Sequence, residues 1–448
     1  MKLLLVYPQV DIPGLSKEII MVEPLSLEYL AAVVAEEHDV RILDLRIPGQ
    51  DVRDVMSSWT PDVVGITGFT LHAPEMVSLS VLTKEVCPDI KVIVGGHHAT
   101  FMPSSFMVPS VDIIARGEGE SVFSDILNSA HSTSGLSNIP GLIYRDDGEW
   151  LENQGMPQSS FLGVTPAHHM VNQYSNHYHI LKVKCLTVQF SRGCPYNCSF
   201  CDCHKFYGGR YRVRNVDDII QEIDDSPARL VYIPDDNVGV NRPHLASFVS
   251  RFAAGGNKKR FAVTMGAREI LSNMDILDRW FKNGLSSVFL GVERIKDEQI
   301  ADLGKRVKVN QNNYAIDYIH SRGGIVIASF IILPTDIVDD FMELEDYVRS
   351  RGVDIPFFCI LTPFPGTDIW DSYHGKDTDF SKYDLAHAVI PTTLPKEVFS
   401  SRFAHLYSTV SKRRLLLKMV RHAGWRWLFR LPSLMSEVGK LRQQLEGE

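Results

Sequence analysis

A chain of 448 residues with 44% hydrophobic side chains is too long for one ordinary core and suggests about two to three domains. Its formal charge of -8, from 46 basic and 54 acidic residues, gives no basic field, so composition points to no nucleic-acid partner and to no acidic small substrate. The apolar run at Lys2–Tyr7 is broken by Pro8, lacks a small-residue cleavage site and is followed by no stretch of about eighteen apolar residues, so a cytoplasmic location is expected.

Residues 1–130 alternate short β-branched runs with amphipathic segments: Lys2–Tyr7, a helix from Leu25, Val40–Leu43, Val63–Ile66, a helix through Met76–Val86, Val92–Val94 and Ile113–Ile114. This predicts an α/β, doubly wound, Rossmann-like domain with a parallel sheet. Glycines fall where strands end, in Thr67-Gly68-Phe69-Thr70 and Gly95-Gly96-His97-His98, which places the ligand edge at the carboxyl end of that sheet. Residues 131–183 turn to Ser, His, Asn and Pro and read as a connector with one hairpin signal over Gly141–Trp150. A second alternation fills 184–394, with runs at Leu186–Phe190, Leu230–Ile233, Phe261–Thr264, Ser287–Leu290, Ile325–Ile331 and Ile355–Ile360. Six βα units are too few for a closed eight-stranded barrel, so a partial (β/α)6 barrel is expected. Residues 395–448 read as helical. Within them, 411–430 hold Lys412, Arg413, Arg414, Lys418, Arg421, Arg426 and Arg430 beside Trp425, Trp427 and Phe429, with no acid. Such a stretch suits peripheral contact with the anionic inner face of a membrane, or a solvated helix that covers the barrel.

Four of the seven cysteines, Cys194, Cys198, Cys201 and Cys203, lie within ten residues, while Cys87, Cys185 and Cys359 are scattered. A disulfide scaffold would spread them through a small secreted chain, so the cluster points to metal. Cys194-Pro-Tyr-Asn-Cys198-Ser-Phe-Cys201 follows a predicted strand and puts three thiolates on one excursion. A structural zinc site wants four closed ligands, for which Cys203 or His204 would be the fourth. An iron-sulfur cluster can accept three cysteines and keep one iron open.

The spacing C-x3-C-x-aromatic-C, with Phe200 as the aromatic, resembles the signature of the radical S-adenosylmethionine (SAM) superfamily. The resemblance implies a 4Fe-4S cluster on Cys194, Cys198 and Cys201, with SAM chelating the open iron, Phe200 beside its adenine, and reductive cleavage to a 5'-deoxyadenosyl radical. Further positions fit a SAM site at successive strand ends: Asp235 and Asp236 in Tyr232-Ile-Pro-Asp-Asp-Asn237, Arg268 in Gly266-Ala-Arg-Glu269 as a fork for the SAM carboxylate, and Glu293 for its ribose or ammonium.

Residues 1–130 resemble the cobalamin-binding domain found upstream of many radical SAM cores, through Pro24–Leu30, Gly95-Gly96-His97 and Arg116-Gly-Glu-Gly-Glu120. By that resemblance Thr67, Gly68, Thr70, Gly95, Gly96, His97, Gly117 and Glu118 are the expected cobalamin contacts, glycines letting backbone pass close to a flat macrocycle and its nucleotide tail. The string D-x-H-x-x-G, which supplies a histidine lower ligand to cobalt, is absent, so histidine ligation is not expected, and His97 and His98 are expected as hydrogen-bond donors only.

Together these features resemble the cobalamin-dependent radical SAM methyltransferases. The strings Tyr383–Thr392 and Phe206–Arg212 resemble hopanoid C-3 methylases in particular. The resemblance implies transfer of a methyl group from methylcobalamin to an unactivated carbon of a small molecule or lipid, with flavodoxin or ferredoxin as electron donor. Cofactors would carry that chemistry, so no general base is named, and Cys203, Tyr207 and His387 are candidate pocket residues. The alternatives are a cyclase or carbon-carbon coupling enzyme that uses the same cofactors without methyl transfer, and a non-catalytic sensor.

Overall fold

The computed structural model describes residues 1–10, 17, 19–159, 163–256, 258–373, 376–407 and 418–422. Five parallel strands form the first sheet: β1 (Lys2–Tyr7), β2 (Asp39–Asp44), β3 (Val63–Thr67), β4 (Lys91–Gly95) and β5 (Ile113–Ala115), in the spatial order β2-β1-β3-β4-β5. Helices cover both faces, so β1 reads as a continuous apolar run: Leu3 and Leu5 enter one core, Leu4 and Val6 the other. The order reverses between β1 and β3, and in such sheets the ligand crevice opens beyond the strands' carboxyl ends at that switch.

The expected hairpin is present as β6 (Leu142–Asp146) and β7 (Glu149–Glu152), turning through Asp147 and Gly148, which both take positive φ. It extends the first sheet, β6 pairing antiparallel with β5.

The second sheet carries β8 (Val183–Thr187), β9 (Leu230–Ile233), β10 (Arg260–Thr264), β11 (Leu285–Glu293), β12 (Ile325–Ile332) and β13 (Ile355–Ile360), parallel and in chain order. This is the half-barrel anticipated from six βα units. Its convex face packs on helices through an aromatic core of Phe190, Phe248, Phe252, Phe261 and Trp280, all fully or almost fully buried. Helix Met274–Lys282 contributes Ile276, Leu277 and Trp280 from one face, as its spacing requires.

The open edge beside β8 is closed by two short strands, His179–Ile180 and then Ile20–Met21, so a piece of the N-terminal half completes the barrel sheet. At the amino-terminal mouth of the barrel, Met419 packs with Ile19, Leu181 and Val183 against Ile325. Lys418 places Nζ 2.7 Å from Asp354 Oδ2 and donates to Gly324 O at 2.9 Å. Within the basic stretch 411–430, residues 418–422 thus sit on the barrel, and the rest lies outside the described residues. Helix Lys396–Leu406 packs on helix Val338–Arg351 through Phe399 and Phe341. Among the described residues no helix is long and apolar enough to cross a membrane.

Candidate functional site

The carboxyl ends of the two sheets face each other across a cleft of about 360 Å³. The first sheet supplies the turns Gly65–Phe69, Gly95–His97 and Gly117–Glu120, and the second supplies Gln189, Arg192, Phe206, Tyr207 and Pro234. Deeper in, Leu5, Gly65, Ile93, Leu27, Leu30 and Phe123 make an apolar slot along the sheet. Glycine is required at Gly96, where φ is +103° and an added Cβ would lie 2.7 Å from the Gly68 carbonyl oxygen. Of the positions expected to meet cobalamin, Thr67, Gly68, Gly95, Gly96, His97, Gly117 and Glu118 line this cleft. Thr70 stands behind the rim, buried, with Oγ1 3.2 Å from His98 Nδ1. His98 meets Ser105 through its other nitrogen, and burial holds its imidazole down at about 4, so it is neutral and fully engaged. Glu118 does touch the cleft, but its carboxylate ties the two halves together, meeting Arg192 Nη1 at 2.9 Å and Arg212 Nη1 at 2.8 Å. Phe69, which the sequence reading passed over, is 50% exposed and turned to the cleft.

The cysteine loop leaves β8 and is pinned by the acidic pair. Asp235 accepts from Phe190 N at 2.9 Å and from Ser191 N and Oγ at 2.5 Å each, while Asp236 accepts from Gly193 N at 3.1 Å. Burial pushes the Asp235 carboxyl up to about 7 in spite of these bonds. Both oxygens of Asp235 are thereby spent on the loop, so its role in the structure is to shape the approach to Cys194. Tyr196 OH donates to Glu269 Oε1 at 2.5 Å, and Ser199 N donates to Leu303 O at 3.0 Å. Glu269 is a further residue the sequence reading missed. Its neighbour Arg268 is exposed, with its guanidinium 5.6 Å over the Tyr196 ring.

Cys194, Cys198 and Cys201 stand partly buried within electrostatic reach of one another. Burial pushes the Cys194 thiol up to about 12 and the Cys198 thiol up to about 11, with Lys305 pulling Cys198 back down. Three thiols on one short excursion fit an iron-sulfur cluster that keeps one corner open, whereas a structural zinc site would need a fourth ligand such as Cys203 or His204.

The remaining expected residues ring the same mouth. Glu293 sits at a bulge of β11 with φ +66°, held by Lys305 Nζ at 2.7 Å and Ser329 Oγ at 3.2 Å. Phe200 packs with Leu303, Ile331 and Leu361. Cys203 is buried, its thiol beside Cys201 and Asp236. Tyr207 is in the interdomain cleft, whereas His387 is held apart from it by Asp384, Nδ1 to Oδ2 2.6 Å, beyond the end of β13. Gly193 has φ +88° and its added Cβ would collide with the Arg210 carbonyl oxygen. Gly193→Ala is therefore expected to cost about 1–3 kcal/mol and to lower iron uptake, read by thermal unfolding and iron analysis.

Beneath the cleft a buried charge network joins the halves. His168 Nδ1 lies 2.6 Å from Glu28 Oε2 and Nε2 lies 3.1 Å from Glu222 Oε1, while Glu222 also meets Arg214 at 2.6 Å. The two carboxylates outweigh burial and carry the His168 imidazole up to about 10. Glu23 accepts from Thr187 N at 2.6 Å, and burial beside Glu28 raises it to about 7. Two cations, His168 and Arg214, thus stand among three carboxylates, Glu23, Glu28 and Glu222.

Residues 21–127 match the B12 binding domain model and residues 188–348 the radical SAM superfamily model, more than half of the chain between them. The chain is 28% identical over 424 residues to the hopanoid C-3 methylase of Methylococcus capsulatus, covering 92% of this chain and 79% of that one. It is 25% identical over 353 residues to the anaerobic magnesium-protoporphyrin IX monomethyl ester cyclase of Rubrivivax gelatinosus, covering 76% and 63%. The fold resembles the cobalamin-dependent SAM radical enzyme OxsB, solved with aqua-cobalamin and SAM, at TM-score 0.72 and 18% identity over 99% of this chain and 71% of that one.

Proposed function

The chain belongs to the cobalamin-binding radical SAM enzymes, and from that membership we propose that it methylates an unactivated carbon of a polycyclic or isoprenoid lipid such as a hopanoid. The observation that carries this reading is the single cleft in which the glycine turns of the first sheet face the loop that follows the three cysteines. When bound, the cluster supplies the electron that splits SAM and cobalamin supplies the methyl group that is delivered.

The chain's own residues would do the rest. Cys194, Cys198 and Cys201 hold the cluster, on a loop fixed by Asp235, Asp236 and the Tyr196–Glu269 bond. Glu293, which also meets Lys305 and Ser329, and the exposed Arg268 are the charged groups assigned to the SAM ammonium and carboxylate, and Phe200 offers an aromatic edge to its base. The turns at Thr67-Gly68, Gly95-Gly96 and Gly117 admit the macrocycle, and the apolar slot under them suits its nucleotide tail. A histidine lower ligand is not part of this reading, because the string D-x-H-x-x-G is absent and His98 is engaged at both nitrogens. A flavodoxin or ferredoxin is the class of electron donor such a site calls for.

Hopanoid methylation rests on the methylase relative. The cyclase relative supports a second reading, ring formation without methyl transfer. Mass spectrometry on lipid extracts from cells with and without the protein is expected to show a one-carbon mass gain on a polycyclic lipid. No such gain would remove the lipid assignment and turn the search to soluble metabolites.

A further inference from the structure

One seven-residue segment belongs to both cofactor sites. Cys201 begins it, and Phe206 and Tyr207 end it as part of the cleft wall. Between them the chain is a single short turn of helix, with Phe206 N donating to Asp202 O at 2.9 Å and Tyr207 N to Cys203 O at 3.0 Å. Its inner side chain, Cys203, is only 4% exposed. A hydrogen-bonded turn packed on a buried side chain moves as a unit, so a shift at Cys201 reaches Phe206.

The other half of the molecule grips this segment through His97, with Phe101 edge-on to Phe206 at 6.1 Å. His97, which opens from the Gly96 turn, has Nδ1 2.8 Å from Asp202 Oδ2. Its ring lies flat on Phe206, centroids 4.0 Å apart with the planes 3° from parallel, and Phe206 in turn meets Tyr207 edge-on at 4.9 Å. Asp202 is the residue next to Cys201, and His97 is the residue next to the glycine that needs its left-handed φ. Beside the Glu118 ion pairs with Arg192 and Arg212, the two sites are thus joined through His97 and one short turn.

We propose that cluster assembly and cobalamin binding are thermodynamically coupled through residues 201–207, with the His97–Asp202 hydrogen bond and the His97–Phe206 stack as the transmitting contacts. This rests on the reading that the cleft holds cobalamin. Fixing Cys201 on an iron settles the turn, which sets Phe206, Tyr207 and His97 in the positions that close the cleft wall. An unfixed loop leaves that ordering to be done by cobalamin itself, at a cost in affinity. Linkage makes the effect reciprocal, so bound cobalamin shifts the equilibrium toward the cluster-loaded form by the same factor.

The test titrates hydroxocobalamin into the full chain under anaerobic conditions, once with the cluster reconstituted and once after a chelator has removed it, following binding by absorbance. Couplings of this kind commonly span about 5–150-fold, so a Kd at least fivefold lower in the cluster-loaded protein is expected. In Asp202→Asn, checked for unchanged iron content, the ratio is expected to fall toward one. Phe206→Leu, which keeps the hydrogen bond and removes the stack, is expected to lower it in part and serves where Asp202→Asn loads iron poorly. Equal Kd values for the two wild-type forms would overturn the coupling while leaving the cobalamin site standing. An undiminished ratio in both variants would overturn the transmitting contacts. No binding by either form would overturn the cobalamin reading itself, and the coupling with it.

Discussion

Cys198→Ala is expected to empty the cluster site: iron after anaerobic reconstitution falls to near zero per chain, the cluster's visible absorption disappears and release of 5'-deoxyadenosine from SAM drops to background. The expectation follows from the geometry of the loop. Cys194, Cys198 and Cys201 approach one region from a backbone held by Asp235, Asp236, Tyr196 and Leu303, and no other thiol is placed to replace the middle one. Cys203 is the nearest spare, yet it is buried beside Cys201 and Asp236. Cys203→Ala is accordingly expected to keep its iron. A Cys198→Ala protein that cleaves SAM at the wild-type rate would contradict the ligand set.

The second large effect lies below the cleft. His168→Leu leaves the carboxylates of Glu28 and Glu222 buried without the cation between them, and breaking a buried pair from one side costs about 3–5 kcal/mol. The sign of its pH dependence follows from linkage. His168 has its folded value raised from the ordinary 6.5 to about 10, so its stabilisation is full below pH 6.5 and is lost as pH rises toward 10. Glu23, raised from 4.5 to about 7, gives stability that is likewise present at low pH and lost across that lower window. Wild-type thermal stability is thus expected to fall between pH 6.5 and 10 more steeply than that of His168→Leu. Parallel curves for the two proteins would show that the imidazolium contributes nothing to the junction.

His168 also marks where the sequence ceases to be informative. The glycine turns at Gly68 and Gly95 and the cysteine triplet were legible because each is a local string whose backbone or spacing requirement is written in adjacent residues. The partners of His168 are Glu28 and Glu222, which no periodicity links to it, and only folding brings them together. Asp235 shows a subtler loss. Its type and its place at a strand end were readable, but its orientation was not, and the amide groups it serves belong to the preceding loop. Thr70 and Phe69 were separable only by structure, since a tight turn sends neighbouring side chains to opposite sides. The hairpin was visible as a turn, while its attachment to the first sheet depends on the exposed edge of β5, which no local signal describes.

The central claim is that one cleft brings a SAM-cleaving cluster and a methyl-carrying cobalamin to the same substrate. Its most direct test is a single anaerobic incubation of the doubly reconstituted protein with reductant, a polycyclic lipid extract and SAM labelled in its methyl group. The expected result is a lipid product that carries the label, with one 5'-deoxyadenosine and one S-adenosylhomocysteine released per product. A product formed without the label would contradict it.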